Sequence, residues 1–205
     1  MMPWEHVAIG YIGYSLFVHA VYRSSPTAEE TLVVIAASLL PDLIDKPLAW
    51  QFGVFDSGYA LGHSVLIAVP VSVLCLVFAR SRGRPRLGIA FAVGYLLHLP
   101  ADVLPRYVRT GELPIERVLW PLRRTQTEYD GGFGGEFIEN ATGYGRWIVE
   151  QILSGNPDPY FGLLIGIGVF CVSLWIYDGM PVGREAYCLC RQATTDAVRR
   201  VRERS

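Results

Sequence analysis

The chain has 205 residues, 51% hydrophobic and 18% charged, with a mean hydropathy of +0.30 and a formal net charge of −1. Water-soluble domains of this size carry nearer a quarter charged residues, so much of the chain is expected to face something other than water. The near-neutral balance excludes the broad basic field that nucleic-acid binding needs, and no nucleic-acid partner is expected.

In chain order, the opening MMPWEHVAIGYIGYSLFVHAVYR has no basic leading region and no small-x-small cleavage site. It reads as a retained segment and not as a removable signal. A bilayer core needs roughly 20 largely apolar residues per helix. On that measure five spans are expected, at 4–22, 28–45, 59–79, 86–104 and 160–178. The predicted class is therefore all-α, a polytopic membrane protein whose bulk lipid partner is the bilayer. Pro70 is expected to kink the third span without forbidding it, because neighbouring helices re-satisfy freed carbonyls. In the fifth span Gly162 and Gly166 form a G-x-x-x-G, the pattern of a close-packing face.

Arginine placement predicts the orientation. Arg80, Arg82, Arg84 and Arg86 share the short loop after the third span. Arg184, Arg191, Arg199, Arg200, Arg202 and Arg204 follow the fifth. Five spans put both segments on one side, which the rule makes cytoplasmic. The N-terminus, the 46–58 loop and segment 105–159 are then outside, in a plasma membrane. Four parts are expected: a 1–104 membrane core, a 105–159 external cap, the fifth helix at 160–178 and an Arg-rich cytoplasmic tail at 179–205. Within the cap, short helical patches are predicted near 115–122 and 144–153, and DGGFGGEF at 130–137 is read as a mobile loop. That glycine cluster lacks the Gly-Lys-Ser/Thr of a phosphate-binding loop. Asn140-Ala141-Thr142 matches a glycosylation tripeptide, a pattern common by chance. Cys75 and Cys171 sit in apolar runs as small hydrophobes. The C-x-C at Cys188 and Cys190 lacks the second pair a metal knuckle needs.

The informative residues are the ionisable ones in or beside apolar helices. His6 opens the first span, Asp42 and Asp45 end the second, His63 opens the third, and His98 and Asp102 close the fourth. The predicted topology brings all six to one membrane face, while His19 falls at the opposite end. Taken singly, a helix-end His is usually a solvated residue, and an Asp after Pro is usually a turn or cap. Taken together they are costly, at about 2.5–3.5 kcal/mol per charged group on insertion scales. A divalent ion would offset that cost, and imidazole with carboxylate suits zinc, with manganese or iron as alternatives. His98 and Asp102, spaced one helical turn apart, project from the same face.

The pieces HVAIG at 6–10, LLPDLID at 39–45, GHS at 62–64, GYLLHLPADVL at 94–104 and Trp120-Pro121 resemble the YdjM/DUF457-type membrane-bound, predicted metal-dependent hydrolases. More distantly, that family is similar to the zinc-dependent phospholipase C and P1 nuclease group. The resemblance implies hydrolysis of a phosphoester, on a lipid or lipid-linked substrate. It implies His6, Asp42, His63, His98 and Asp102 as metal ligands. Asp45 is then a ligand, a partner orienting a histidine, or the catalytic base. Arg106 and Arg123 are the candidate phosphate contacts. Ser57 and Gly58 stand where family members often carry His and Arg. Two alternatives are a metal-binding transporter or sensor and a purely structural membrane protein. The inner halves of the third and fifth spans offer only residues such as Ser72, Cys75 and Ser173, which favours a one-sided site over a transport path.

Overall fold

The structure is a computed structural model that describes residues 1–127, 129, 131–188 and 191–192. The described residues form helices and loops, without strands. The helices are α1 (Pro3–Tyr22), α2 (Ala28–Trp50), α3 (Val65–Ser81), α4 (Pro85–Thr110), a 3-10 turn (Ile115–Arg117), α5 (Gly132–Leu153) and α6 (Pro159–Tyr177). Arg199, Arg200, Arg202, Arg204 and Cys190 lie outside the described residues, as does Asp130 of the glycine cluster.

Helix α4 is the centre of the packing and touches α1, α2, α3 and α6. Small residues permit that crowding. A Cβ on Gly94 would meet the Val34 carbonyl at 2.7 Å and Ala37 at 3.0 Å, and one on Gly10 would meet Ser38 Oγ at 2.2 Å. Helices α1, α2 and α4 therefore approach closely only because those positions lack side chains. Tyr14, Val18, Val34 and Ala90 fill one layer of the core, and Ala37, Ala68, Tyr95 and Leu99 fill another. At the far end of the bundle Thr27 and Glu30 cap α2 reciprocally. The Glu30 carboxylate then pairs with Arg86 at 2.7 Å, which ties the start of α2 to the start of α4.

Helices α4 and α6 are long and apolar enough to cross a bilayer. Helix α3 is apolar but has 17 residues, because its first turn begins at Val65 rather than at residue 59. The preceding Gly62-His63-Ser64 is held in a turn by bonds to Asp45 and Tyr95, so it cannot join the helix. Helices α1 and α2 carry Glu5, His6, Glu29, Glu30, Asp42, Asp45 and Lys46, which lowers their apolarity. Apolar side chains point outward from α3 and α6, among them Leu74, Val77, Phe78, Val169, Val172 and Ile176. A contiguous apolar surface of that kind is costly in water and stable against lipid tails.

The glycine cluster corrects the loop reading. Gly132–Leu153 is one continuous helix, α5. Phe133 and Phe137 lie one turn apart with rings stacked, and Phe133 also packs on Trp50 of α2. That aromatic contact outweighs the low helix propensity of the glycines. Gly162 and Gly166 have no neighbour within 4 Å of an added Cβ, so the G-x-x-x-G packs against nothing in the described chain.

These two glycine environments make opposite predictions. Gly94→Ala should destabilise the protein by about 1–3 kcal/mol, as overpacking does. Gly162→Ala should be neutral or stabilising by up to about 1 kcal/mol through helix propensity. Thermal unfolding in detergent reads both, and equal effects would contradict this account of the packing.

Candidate metal centre

The end of α2, the turn before α3 and the middle of α4 converge on a buried polar cluster. One donor atom from each of Asp42, His63, His98 and Asp102 lies within 4.8 Å of every other, and all four residues are buried. His63 Nε2 is 3.1 Å from His98 Nε2 and 3.2 Å from Asp102 Oδ2. His98 Nε2 is 3.1 Å from the same Asp102 oxygen. Asp42 Oδ1 is 3.4 Å from His63 Nε2 and 3.9 Å from His98 Nε2.

The opposite face of each imidazole identifies the tautomer. His63 Nδ1 lies 2.8 Å from Asp45 Oδ2, and His98 Nδ1 lies 2.7 Å from the Ser38 carbonyl. A carboxylate and a carbonyl only accept, so both Nδ1 atoms donate, and in the neutral rings both Nε2 lone pairs face the cluster. Two lone pairs facing each other at that distance repel unless a cation lies between them. For zinc–ligand bonds of about 2.0–2.1 Å, the donors of a tetrahedron stand about 3.3 Å apart, close to most of the separations here. Asp42 Oδ1, Asp102 Oδ2 and both nitrogens of His6 are buried without a hydrogen-bonded partner. Orphaned buried atoms of this chemistry fit a cation. The cluster could therefore hold a metal ion.

Asp45 has a different place. Its carboxylate is fully buried and accepts from the backbone N–H groups of Ala60 (2.8 Å), Gly62 (2.9 Å) and His63 (3.1 Å), besides His63 Nδ1. Those bonds occupy its lone pairs and make it the group that aims His63. Gly62 is required for this, since an added Cβ would meet the Pro41 backbone at 2.9 Å. His6 stands beside the four. Its ring stacks on His98 at 3.7 Å and its Nε2 is 3.3 Å from Asp102 Oδ1, the oxygen that also takes the Met1 amine at 3.2 Å.

The two arginines expected at a phosphate lie elsewhere. Arg106 is exposed and paired with Glu112 at 2.8 Å, and Arg123 is exposed in the loop after Trp120. The cations at the cluster are others. Lys46 Nζ lies 2.7 Å from Asp42 Oδ2, and Arg117 donates to the Asp102 carbonyl at 2.9 Å with its guanidinium over Tyr59. Lys46 is the one lysine in the sequence and sits one turn beyond Asp42, which was the available sign. Arg117 reaches back to Asp102 from the 3-10 turn that follows α4, which no spacing reveals. Ser57 is buried against Thr125 and Gly58 lies against Lys46 and Trp50, so the departure at 57–58 borders the cluster's approach and not its donors. His19 lies at the other end, where with Tyr11 and Ser15 it holds Asp178 at 2.6 Å.

An all-helical chain with membrane-length apolar helices and a buried His–Asp cluster defines a membrane protein with a candidate metal centre. The chain belongs to the YdjM inner membrane protein family, which it matches over residues 1–180. No curated protein and no solved structure matches it.

Asp45 gives a test. Asp45→Asn should weaken divalent-ion binding by about 10–100-fold, because the amide no longer holds His63 as the carboxylate does. Competition with a chelator of known affinity reads this, and unchanged affinity would contradict the orienting role.

Proposed function

We propose that the protein is a membrane-bound, metal-dependent hydrolase of phosphoesters, working on a lipid or lipid-linked substrate at the outer face. The observation that carries this reading is the buried set of Asp42, His63, His98 and Asp102 donors, all within 4.8 Å of one another, beside a cavity. Imidazole and carboxylate together favour zinc. His6, whose buried nitrogens have no hydrogen-bonded partner and whose Nε2 lies 3.3 Å from Asp102 Oδ1, is proposed as an additional ligand.

A bound divalent ion would lower the pKa of a water and neutralise charge on the phosphoryl oxygens. The chain's own residues do the rest. Asp45 and the Ser38 carbonyl fix the two imidazoles before any ligand arrives, so no reorganisation is needed at the moment of reaction. Lys46 lines a cavity of about 310 Å³ together with Asp42 and Tyr59. Its ammonium can hold a phosphoryl oxygen as a point charge, the role first expected of Arg106 and Arg123. The walls of that cavity are mainly apolar, which limits bulk water at the site.

The five-span arrangement, with the N-terminus outside and the C-terminus cytoplasmic, belongs to this proposal. It is supported by the outward apolar faces and by the arginines of the α3–α4 loop. It places the cluster at the outer end of the bundle.

Metal analysis of the purified protein tests the reading. The unaltered chain should carry about one or two equivalents of a divalent ion, as zinc hydrolase centres do, and His98→Ala and Asp102→Ala should each lose most of it. Zinc-loaded protein should then cleave bis(p-nitrophenyl) phosphate, with activity lost on chelation. Equal metal content in both variants and the unaltered chain would remove the metal centre. Full binding without any phosphoester cleavage would favour a non-catalytic role.

A further inference from the structure

Two cavities flank α5, and they differ in chemistry. The smaller, about 310 Å³, is walled by Leu39, Leu43, Trp50, Phe133 and Phe137, and reaches the metal cluster through Asp42. The larger, about 810 Å³, is walled by charged and aromatic groups of α1, α4, α5 and α6, and comes within one residue of His6 through Glu5. Met1, Met2 and Asn140 line both, so the two spaces meet there.

Part of the polar wall is already committed. Glu5 accepts from the hydroxyls of Tyr144 (2.5 Å) and Tyr160 (2.9 Å), which docks α5 and α6 onto α1. Arg109 pairs with Asp158 at 2.9 Å and lies over the rings of Trp147 and Tyr160. Arg146 and Glu139 also line the space, are exposed, and have no hydrogen bond or ion pair from their side chains among the described residues. Glu136 lines it too, accepting among the described residues only from the Gly131 N–H at 3.4 Å, and the Glu136 and Glu139 carboxylates together with Lys46 at the smaller cavity are the complement of an ammonium–phosphate zwitterion. An apolar slot and a charged basin that meet beside a metal cluster are the complement of an amphiphile.

We infer that the two cavities form one site for a zwitterionic phosphodiester lipid. An acyl chain lies against Phe133 and Phe137, and the headgroup ammonium lies against Glu136 and Glu139. The phosphodiester sits at the junction, next to Asp42 and Lys46. The inference rests on the hydrolase reading for what becomes of the lipid, and it names which group is presented: the phosphodiester that links headgroup to glycerol, not an acyl ester. Binding itself needs no metal. Phe137, Glu136 and Glu139 lie outside the buried core, so changing them leaves that core intact.

Native mass spectrometry of the full-length, metal-free protein tests this, using detergent micelles doped with phosphatidylethanolamine. The unaltered chain should retain one lipid. Phe137→Glu, and the double variant Glu136→Gln with Glu139→Gln, should each lower retention by about tenfold, as should replacing the probe by a diacylglycerol of the same chains. Retention unchanged in both variants, or equal for diacylglycerol, would overturn the inference. A chain that shows the expected lipid pattern yet takes up no ion would support the lipid site and sink the hydrolase reading alone.

Discussion

Two imidazole nitrogens meet 3.1 Å apart in a buried site, each ring having its other nitrogen committed to an acceptor. That constraint organises the bundle end around it. It requires a cation or a proton between the rings, and it requires Asp45 and the Ser38 carbonyl to hold them there. Asp45 in turn requires the turn at 60–63, whose amides it gathers, and the turn requires a glycine at 62 to approach Pro41. The close contact of α2 with α4, through Gly94 and Ala37, brings the Ser38 carbonyl to His98. Packing and site chemistry are thus one arrangement: loosening the helices would separate the donors.

The cost of that arrangement explains its neighbours. Two carboxylates at one buried point repel, and Lys46 on Asp42 and Arg117 on the Asp102 carbonyl reduce the excess negative charge. His6 stacked on His98 and Tyr59 edge-on to His63 shield the donors from bulk water. Charge in such a medium is stable only when paired or coordinated. A site for a divalent ion is the simplest arrangement that satisfies every donor present.

How far this was legible in the sequence depends on the kind of contact. Ionisable residues are conspicuous in apolar segments, so His6, Asp42, His63, His98 and Asp102 stood out, and placing helix ends on a common side brought them together. The limits of α1 and α6 and the start of α4 followed from apolar length, whereas α4 runs on to Thr110, past the expected end at 104. Helix α5 did not, because Gly132, Gly134 and Gly135 depress helix propensity while the compensating aromatic contact with Trp50 is tertiary. The start of α3 was misplaced for a similar reason, since His63 belongs to a turn that Asp45 creates from another helix. Lys46 was marked by its place one turn beyond Asp42, but Arg117 takes its role from a partner's position and not from its own pattern. The Ser38 carbonyl is a main-chain group, which no residue pattern advertises.

The central claim is that His63 and His98 share one ion through Nε2, together with Asp42 and Asp102. X-ray absorption at the zinc edge of the purified, zinc-loaded protein tests it most directly. The account predicts nitrogen and oxygen neighbours only, at about 2.0–2.1 Å, with outer-shell scattering from at least two imidazoles that falls by one ring in His98→Ala. A spectrum without imidazole scattering, or one that His98→Ala leaves unchanged, would contradict it.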